Sequence, residues 1–133
     1  MSAPPPPEVI ALVLADQVYR DEDSGKLFVL GVRSRIGAAS FPLSHGHLVV
    51  YVALVNGRGA AAIGIRLIDA DEEDEPLAEQ EVIIEFPSPL DEVQVIFDLH
   101  NLTFPTHGDY RLQLLCDGHF LRERILVVFP KEA

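Results

Sequence analysis

Val93-Gln94-Val95-Ile96-Phe97-Asp98-Leu99-His100 is the stretch that decides the fold class. Val93, Val95, Phe97 and Leu99 share one parity, and Gln94, Ile96, Asp98 and His100 share the other. A period of two sends successive side chains to opposite faces of an extended strand; a helix would need apolar residues at every third or fourth position. The same alternation extends outward in both directions. It runs through Phe28, Leu30, Val32 and Ile36, interrupted at Ser34, with Arg33 and Arg35 opposite. It returns in Leu48 to Leu54, in Ala61 to Leu67, and in Val82, Ile84 and Phe86 set against Glu79, Glu81, Ile83 and Glu85. Tyr110, Leu112, Leu114 and Cys116 oppose Arg111, Gln113 and Leu115, and Leu121, Ile125, Val127 and Phe129 end the pattern with Arg122 and Arg124 outward. Together with Val9 to Val18 these runs predict about eight strands and an all-β, immunoglobulin-like antiparallel β-sandwich.

Turn residues separate the runs. Asn56-Gly57 and Asp117-Gly118 are dipeptides suited to positive φ at both central positions of a type I′ turn, so each predicts a hairpin. Ser24-Gly25, after the acidic Asp21 to Asp23, turns the first strand into the second. Pro87, Pro89 and Pro105 fall between runs, where a missing N–H breaks no ladder. The segment Asp71 to Glu81 tempts a helical reading, but Pro76 would remove a hydrogen bond at its centre, so no regular helix is expected. In Pro105-Thr106-His107-Gly108-Asp109-Tyr110 a loop and a glycine lead to an inward tyrosine, the sequence of a tyrosine corner, in which the ring fills the core and the hydroxyl bonds an upstream backbone group.

The 133 residues suit one domain at residues 8–133, preceded by a proline-rich disordered tail at residues 1–7. Pro4 to Pro7 predict a short polyproline II arm; a PxxP docking role is disfavoured because no basic residue flanks it. Lys and Arg total 10 against 21 Asp and Glu, a net charge of −11 that repels phosphate backbones and anionic membrane surfaces, so neither nucleic acid nor membrane is expected as a partner. Mean hydropathy is +0.19, yet no run approaches the roughly 20 apolar residues of a membrane span. The N-terminus lacks the positive region of a signal peptide, and the single cysteine, Cys116, cannot form an internal disulfide, so the expected location is the cytoplasm.

Leu14-Ala15-Asp16-Gln17-Val18, Ser24-Gly25-Lys26-Leu27 leading to Gly31, Phe41-Pro42, and Phe104-Pro105 with Gly108-Asp109-Tyr110-Arg111-Leu112 resemble an uncharacterised bacterial domain-of-unknown-function family of small stand-alone proteins. The resemblance covers nearly the whole chain after the prolines. It implies a stand-alone β-sandwich, and it brings no activity, cofactor or catalytic residue with it.

Two clusters are weighed as metal sites. Asp69, Asp71, Glu72, Glu73, Asp74 and Glu75 crowd one connection, and calcium takes six to eight oxygen ligands, but no Asp-x-Asp-x-Asp-Gly pattern is present and contiguous carboxylates diverge, which favours a solvated acidic turn. His45 and His47 flank Gly46, and an i, i+2 pair on a strand can share one face and two coordination positions. His100, His107 and His119 are the possible further ligands, but each sits at a different strand end, so rim histidines are the expected reading and no cofactor is assigned. Nucleophile elbows, phosphate-cradling glycines and His-Glu-x-x-His are absent from the sequence, which points away from an enzyme.

Several strands are apolar on both parities: Val9 to Ala15, Leu27 to Val32, and Leu48 to Val55. A sandwich face meeting water should be polar at alternate positions. The surplus apolar face therefore needs a cover, and the expectation is homodimerisation, or binding of another protein, through Leu27, Val29, Val49, Tyr51 and Val55. The alternative cover is the connection from Arg35 to Gly46, with Ile36, Phe41 and Leu43 folded over the face. The chain thus reads as a non-enzymatic interaction or assembly module, with a calcium or small-ligand binding module, or an enzyme whose triad is not visible in sequence, as the alternatives.

Overall fold

Nine strands run through the computed structural model, which describes residues 5–70 and 75–131: β1 (Glu8–Arg20), β2 (Leu27–Val32), β3 (Arg35–Ala38), β4 (Leu43–Val55), β5 (Gly59–Asp69), β6 (Ala78–Phe86), β7 (Val93–Phe104), β8 (Gly108–Cys116) and β9 (His119–Pro130). They form a four-stranded sheet, β2-β1-β4-β7, packed on a five-stranded sheet, β3-β9-β8-β5-β6. There is no helix among the described residues, and so none long and apolar enough to cross a membrane.

The ninth strand corrects the expected count, and it arises from the run read as one strand through Phe28 to Ile36. Arg33 N–H donates to Leu14 O (2.7 Å) on β1, while Ser34 O accepts from Val127 N–H (3.0 Å) on β9. The chain therefore leaves the edge of one sheet at Arg33 and joins the edge of the other at Ser34, where the sequence alternation breaks. β3 then runs parallel to β9, the one pairing that departs from the expected antiparallel pattern.

Of the two predicted type I′ hairpins, one forms. Asp117 (φ 50) and Gly118 (φ 80) join β8 to its neighbour β9. Asn56-Gly57 instead connects β4 to β5, which lie in different sheets. Asn56 is left-handed (φ 62), but the second positive φ falls at Gly59 (φ 65), and Gly57 lies against the ring of Phe86, where no Cβ would fit. The Ser24-Gly25 turn joins β1 to β2 as expected. The Asp21 carboxylate accepts from Ser24 Oγ (2.6 Å) and Ser24 N–H (2.8 Å), which holds its pKa below the usual carboxylate value.

Between the sheets lie Leu12, Leu14, Leu48, Val50, Val52 and Leu54 from one side and Ile63, Ile65, Leu67, Leu112, Leu114 and Leu126 from the other. The tyrosine corner is present: Tyr110 is fully buried, its ring meets Phe104 edge-on (centroids 4.9 Å, 80°), and its hydroxyl donates to Thr106 O (2.7 Å). Of the proline arm, Pro4 lies outside the described residues, Pro5 and Pro6 are exposed, and Pro7 is buried. Replacing Tyr110 by Phe keeps the ring but removes a donor from a carbonyl at the core boundary. The expected cost is about 1–2 kcal/mol of unfolding free energy, read as a lower urea midpoint with an unchanged slope.

Candidate functional site

In an antiparallel pair, directly opposed residues project from the same face, so the register maps the outer surface of the four-stranded sheet. Ala15 opposes Val32 and Gln17 opposes Leu30 on β2; Ala15, Val13 and Ala11 oppose Val49, Tyr51 and Ala53 on β4; and Tyr51 opposes Ile96 on β7. Tyr19 and Phe28 extend the surface to the β1–β2 end, where their rings are 6.1 Å apart. This face is mostly apolar on β2, β1 and β4, with Gln17 and His47 among them, and turns polar on β7, where Gln94, Asp98 and His100 accompany Ile96. Phe28 is 48% exposed, Leu30 42%, Val32 64% and Tyr19 53%, whereas Ala15, Val49 and Ala53 in the sheet centre are buried by their neighbours.

The residues expected to form the interface divide. Val49, Tyr51 and Val55 lie on this outer face, Val55 opposite Glu8. Leu27 and Val29 do not: they oppose Arg20 and Val18, on the parity that faces the other sheet. Both parities of β2 are apolar, so composition could not choose between them, and the pairing selects Phe28, Leu30 and Val32. The alternative cover is overturned. Ile36 lies in the core on β3, Phe41 and Leu43 pack against the core, and the segment from Arg35 joins the opposite sheet.

The outer surface of the five-stranded sheet mixes charged and polar groups with the exposed Ile83 (67%) and Ile125 (47%). Arg66 donates to Gln113 (2.7 and 3.1 Å), Arg111 pairs with Glu123 (3.4 Å), and Glu79 and Glu81 stand opposite Arg66 and Gly64.

The histidines are arranged unlike the expectation. His45 and His47 do not share a face. His45 opposes Leu102, a core residue, while His47 opposes the exposed His100, and between them Gly46 faces Asn101, which is left-handed (φ 55). The strand pair turns over at that point, which breaks the i, i+2 argument. His45 is half-buried; desolvation, reinforced by Arg33, lowers its pKa against the opposing pull of Asp16. His47 instead meets His100 ring on ring (centroids 4.6 Å, 8°), and its Nε2 lies 2.8 Å from Asp98 Oδ1. Asp98 and His100 share the outer parity of β7, a signal present in the sequence that lacked only the knowledge that β7 pairs with β4.

Asp71 and Asp74 lie outside the described residues, and Asp69 opposes Tyr110, which packs on the last residue of β7. Asp91 and Glu92 precede the first residue of that strand, so they lie at the other end of the sandwich. His107 and His119 flank opposite ends of β8. A cleft of about 270 Å³ opens beneath Pro5 to Pro7, bounded by Arg58, Phe86, Cys116 and Phe120.

Compared with protein families, the chain matches the family of unknown function DUF6941 over residues 10–129, and it belongs to that family. Comparison with curated proteins gives no match.

Cys116 behaves as the small buried hydrophobe its parity suggests: it is 6% exposed, and burial, aided by the Asp117 carboxylate, pushes its thiol pKa up. The thiolate fraction in the folded protein is therefore low. Maleimide labelling at pH 8 should be slow in the native protein and fast after unfolding in urea, as followed by intact mass.

Proposed function

We propose that this protein is a non-enzymatic interaction module that self-associates into a homodimer through the outer face of the β2-β1-β4-β7 sheet. The observation that carries the reading is the group of large apolar side chains open to solvent at the β2 side of this face, Tyr19, Phe28, Leu30 and Val32, on a face without Lys or Arg. Leaving such a patch in water forgoes about 25 cal/mol for each Å² that could be buried.

A second copy fits this face better than a charged partner. Its carboxylates are Glu8 and Asp98, it carries no Lys or Arg, and so it presents no charge pattern for a complementary surface to read. Four strands at about 4.8 Å spacing and ten residues at about 3.3 Å rise span roughly 600 Å², near the roughly 800 Å² per partner of an ordinary specific interface. The immunoglobulin-like character of the sandwich belongs to the same reading, supported by the Tyr110 corner. A reducing, cytoplasmic setting suits the lone buried Cys116.

Leu30→Glu together with Val32→Glu tests the proposal. The wild-type chain should scatter light as a dimer at micromolar concentration, and the double variant should be a monomer with an unchanged far-ultraviolet spectrum. A wild-type monomer at high concentration, or a variant that remains a dimer, overturns it.

A further inference from the structure

The register of β4 and β7 builds a cluster that neither strand holds alone. His47 and His100 are directly opposed, and Asp98 precedes His100 by two residues on the same face. One donor atom from each of His47, Asp98 and His100 lies within 4.8 Å of the other two. We propose that these three side chains form a binding site for a divalent transition-metal cation of the zinc class.

The donor set decides the class of ion. Two imidazole nitrogens and one carboxylate oxygen match the borderline preference of zinc and its neighbours, whereas magnesium and calcium seek oxygen ligands throughout. With bonds of about 2.1 Å and tetrahedral angles, ligand atoms on one ion stand roughly 3.4 Å apart, so the cluster must close by up to about 1.4 Å and the two stacked rings must rotate out of parallel to aim their nitrogens at one ion.

The backbone beneath the site is held firmly. His47 and His100 sit on a ladder that continues on both sides of them, and Gln80 Nε2 from β6 donates to Asp98 O (2.7 Å), tying the free edge of β7 to the other sheet. Asp98 already meets His47 Nε2 at 2.8 Å, so its carboxylate can serve as a direct ligand or orient that imidazole. His47 is half-buried while Asp98 and His100 are exposed, which leaves the remaining coordination positions open to water. No hydroxyl or thiol among the described residues hydrogen-bonds either imidazole, so the pair has no nucleophile to activate, and a cation is the ligand its chemistry fits.

The test uses the full chain with any affinity tag removed, titrated with zinc chloride in a calorimeter and with cobalt chloride in a visible spectrometer. One equivalent of zinc should bind. Cobalt should give the absorption of a site with nitrogen ligands, and millimolar magnesium or calcium should not displace either ion. His47→Gln and His100→Gln should each raise the zinc Kd by about tenfold or more, with Asp98→Asn weaker in effect and His45→Gln without effect. His47, Asp98 and His100 lie on the outer face, His45 is half-buried, and circular dichroism should show each variant folded. Absence of saturable binding overturns the site. So does binding that survives the His47→Gln, His100→Gln double variant, or that disappears with His45→Gln instead.

Discussion

The register between β4 and β7 is the constraint on which the rest of the molecule depends. Leu48, Val50 and Val52 oppose Leu99, Phe97 and Val95 toward the core, while His47, Val49 and Tyr51 oppose His100, Asp98 and Ile96 toward the outside. Because the side-chain period is two, a slip of one residue in either strand would turn its core residues outward. Burial of Leu48, Val50, Val52, Phe97 and Leu99 thus fixes, without further instruction, which residues form the outer face and which imidazoles meet. The hydrophobic core and the candidate sites are two readings of one alignment.

Charge is shared unevenly between the two outer faces. The chain carries a net charge of −11, and among its carboxylates Asp21, Glu22 and Asp23 lie on the β1–β2 turn and Glu79, Glu81 and Glu85 along β6. Glu79, Glu81 and Glu85 oppose Arg66, Gly64 and Ala60 on the five-stranded sheet, with the exposed Ile83 between them. On the other sheet, the Tyr51 hydroxyl accepts a hydrogen bond from Gln94 (2.7 Å). Two copies meeting on this side would bring together Glu8 and Asp98 but hold most of their other acidic groups apart, which limits the self-repulsion opposing the contact.

The sequence was legible where its signals were local. Period two specified the strands, Asp117-Gly118 specified its hairpin, and the spacing of Thr106, Gly108 and Tyr110 specified the corner. It was illegible where the answer depended on a distant partner. Nothing local distinguishes Asn56-Gly57 from Asp117-Gly118, and only the sheet assignment of the flanking strands makes one a crossover and the other a hairpin. Leu27 and Val29 could not be separated from Phe28 and Leu30 because both parities of that strand are apolar and its face is chosen by β1. His45 and His47 misled because the two-residue rule assumes a regular strand, and the left-handed Asn101 opposite Gly46 breaks it from the neighbouring chain. His100 was visible as a candidate, but its position was set by a pairing that joins residues about 50 apart, as the 51-residue separation of His47 and Asp98 illustrates.

The proposed contact and the proposed cation site share one face, and the geometry of the contact decides how they interact. The exposed Phe28, Leu30 and Val32 lie at the β2 edge and the imidazoles at the β7 edge, three strand spacings or about 14 Å across. A twofold axis running along the strands would lay β2 of one copy over β7 of the other, sealing the imidazoles beneath apolar side chains. The cation would then lose its waters, and metal and dimer would oppose each other. An axis running across the strands would lay β2 over β2 and leave both metal sites at the rim, hydrated and independent of association. Linkage makes the distinction measurable from either side, because any factor by which zinc weakens the dimer is the factor by which dimerisation weakens zinc. The salt of choice in a sedimentation experiment would therefore report the direction of a symmetry axis.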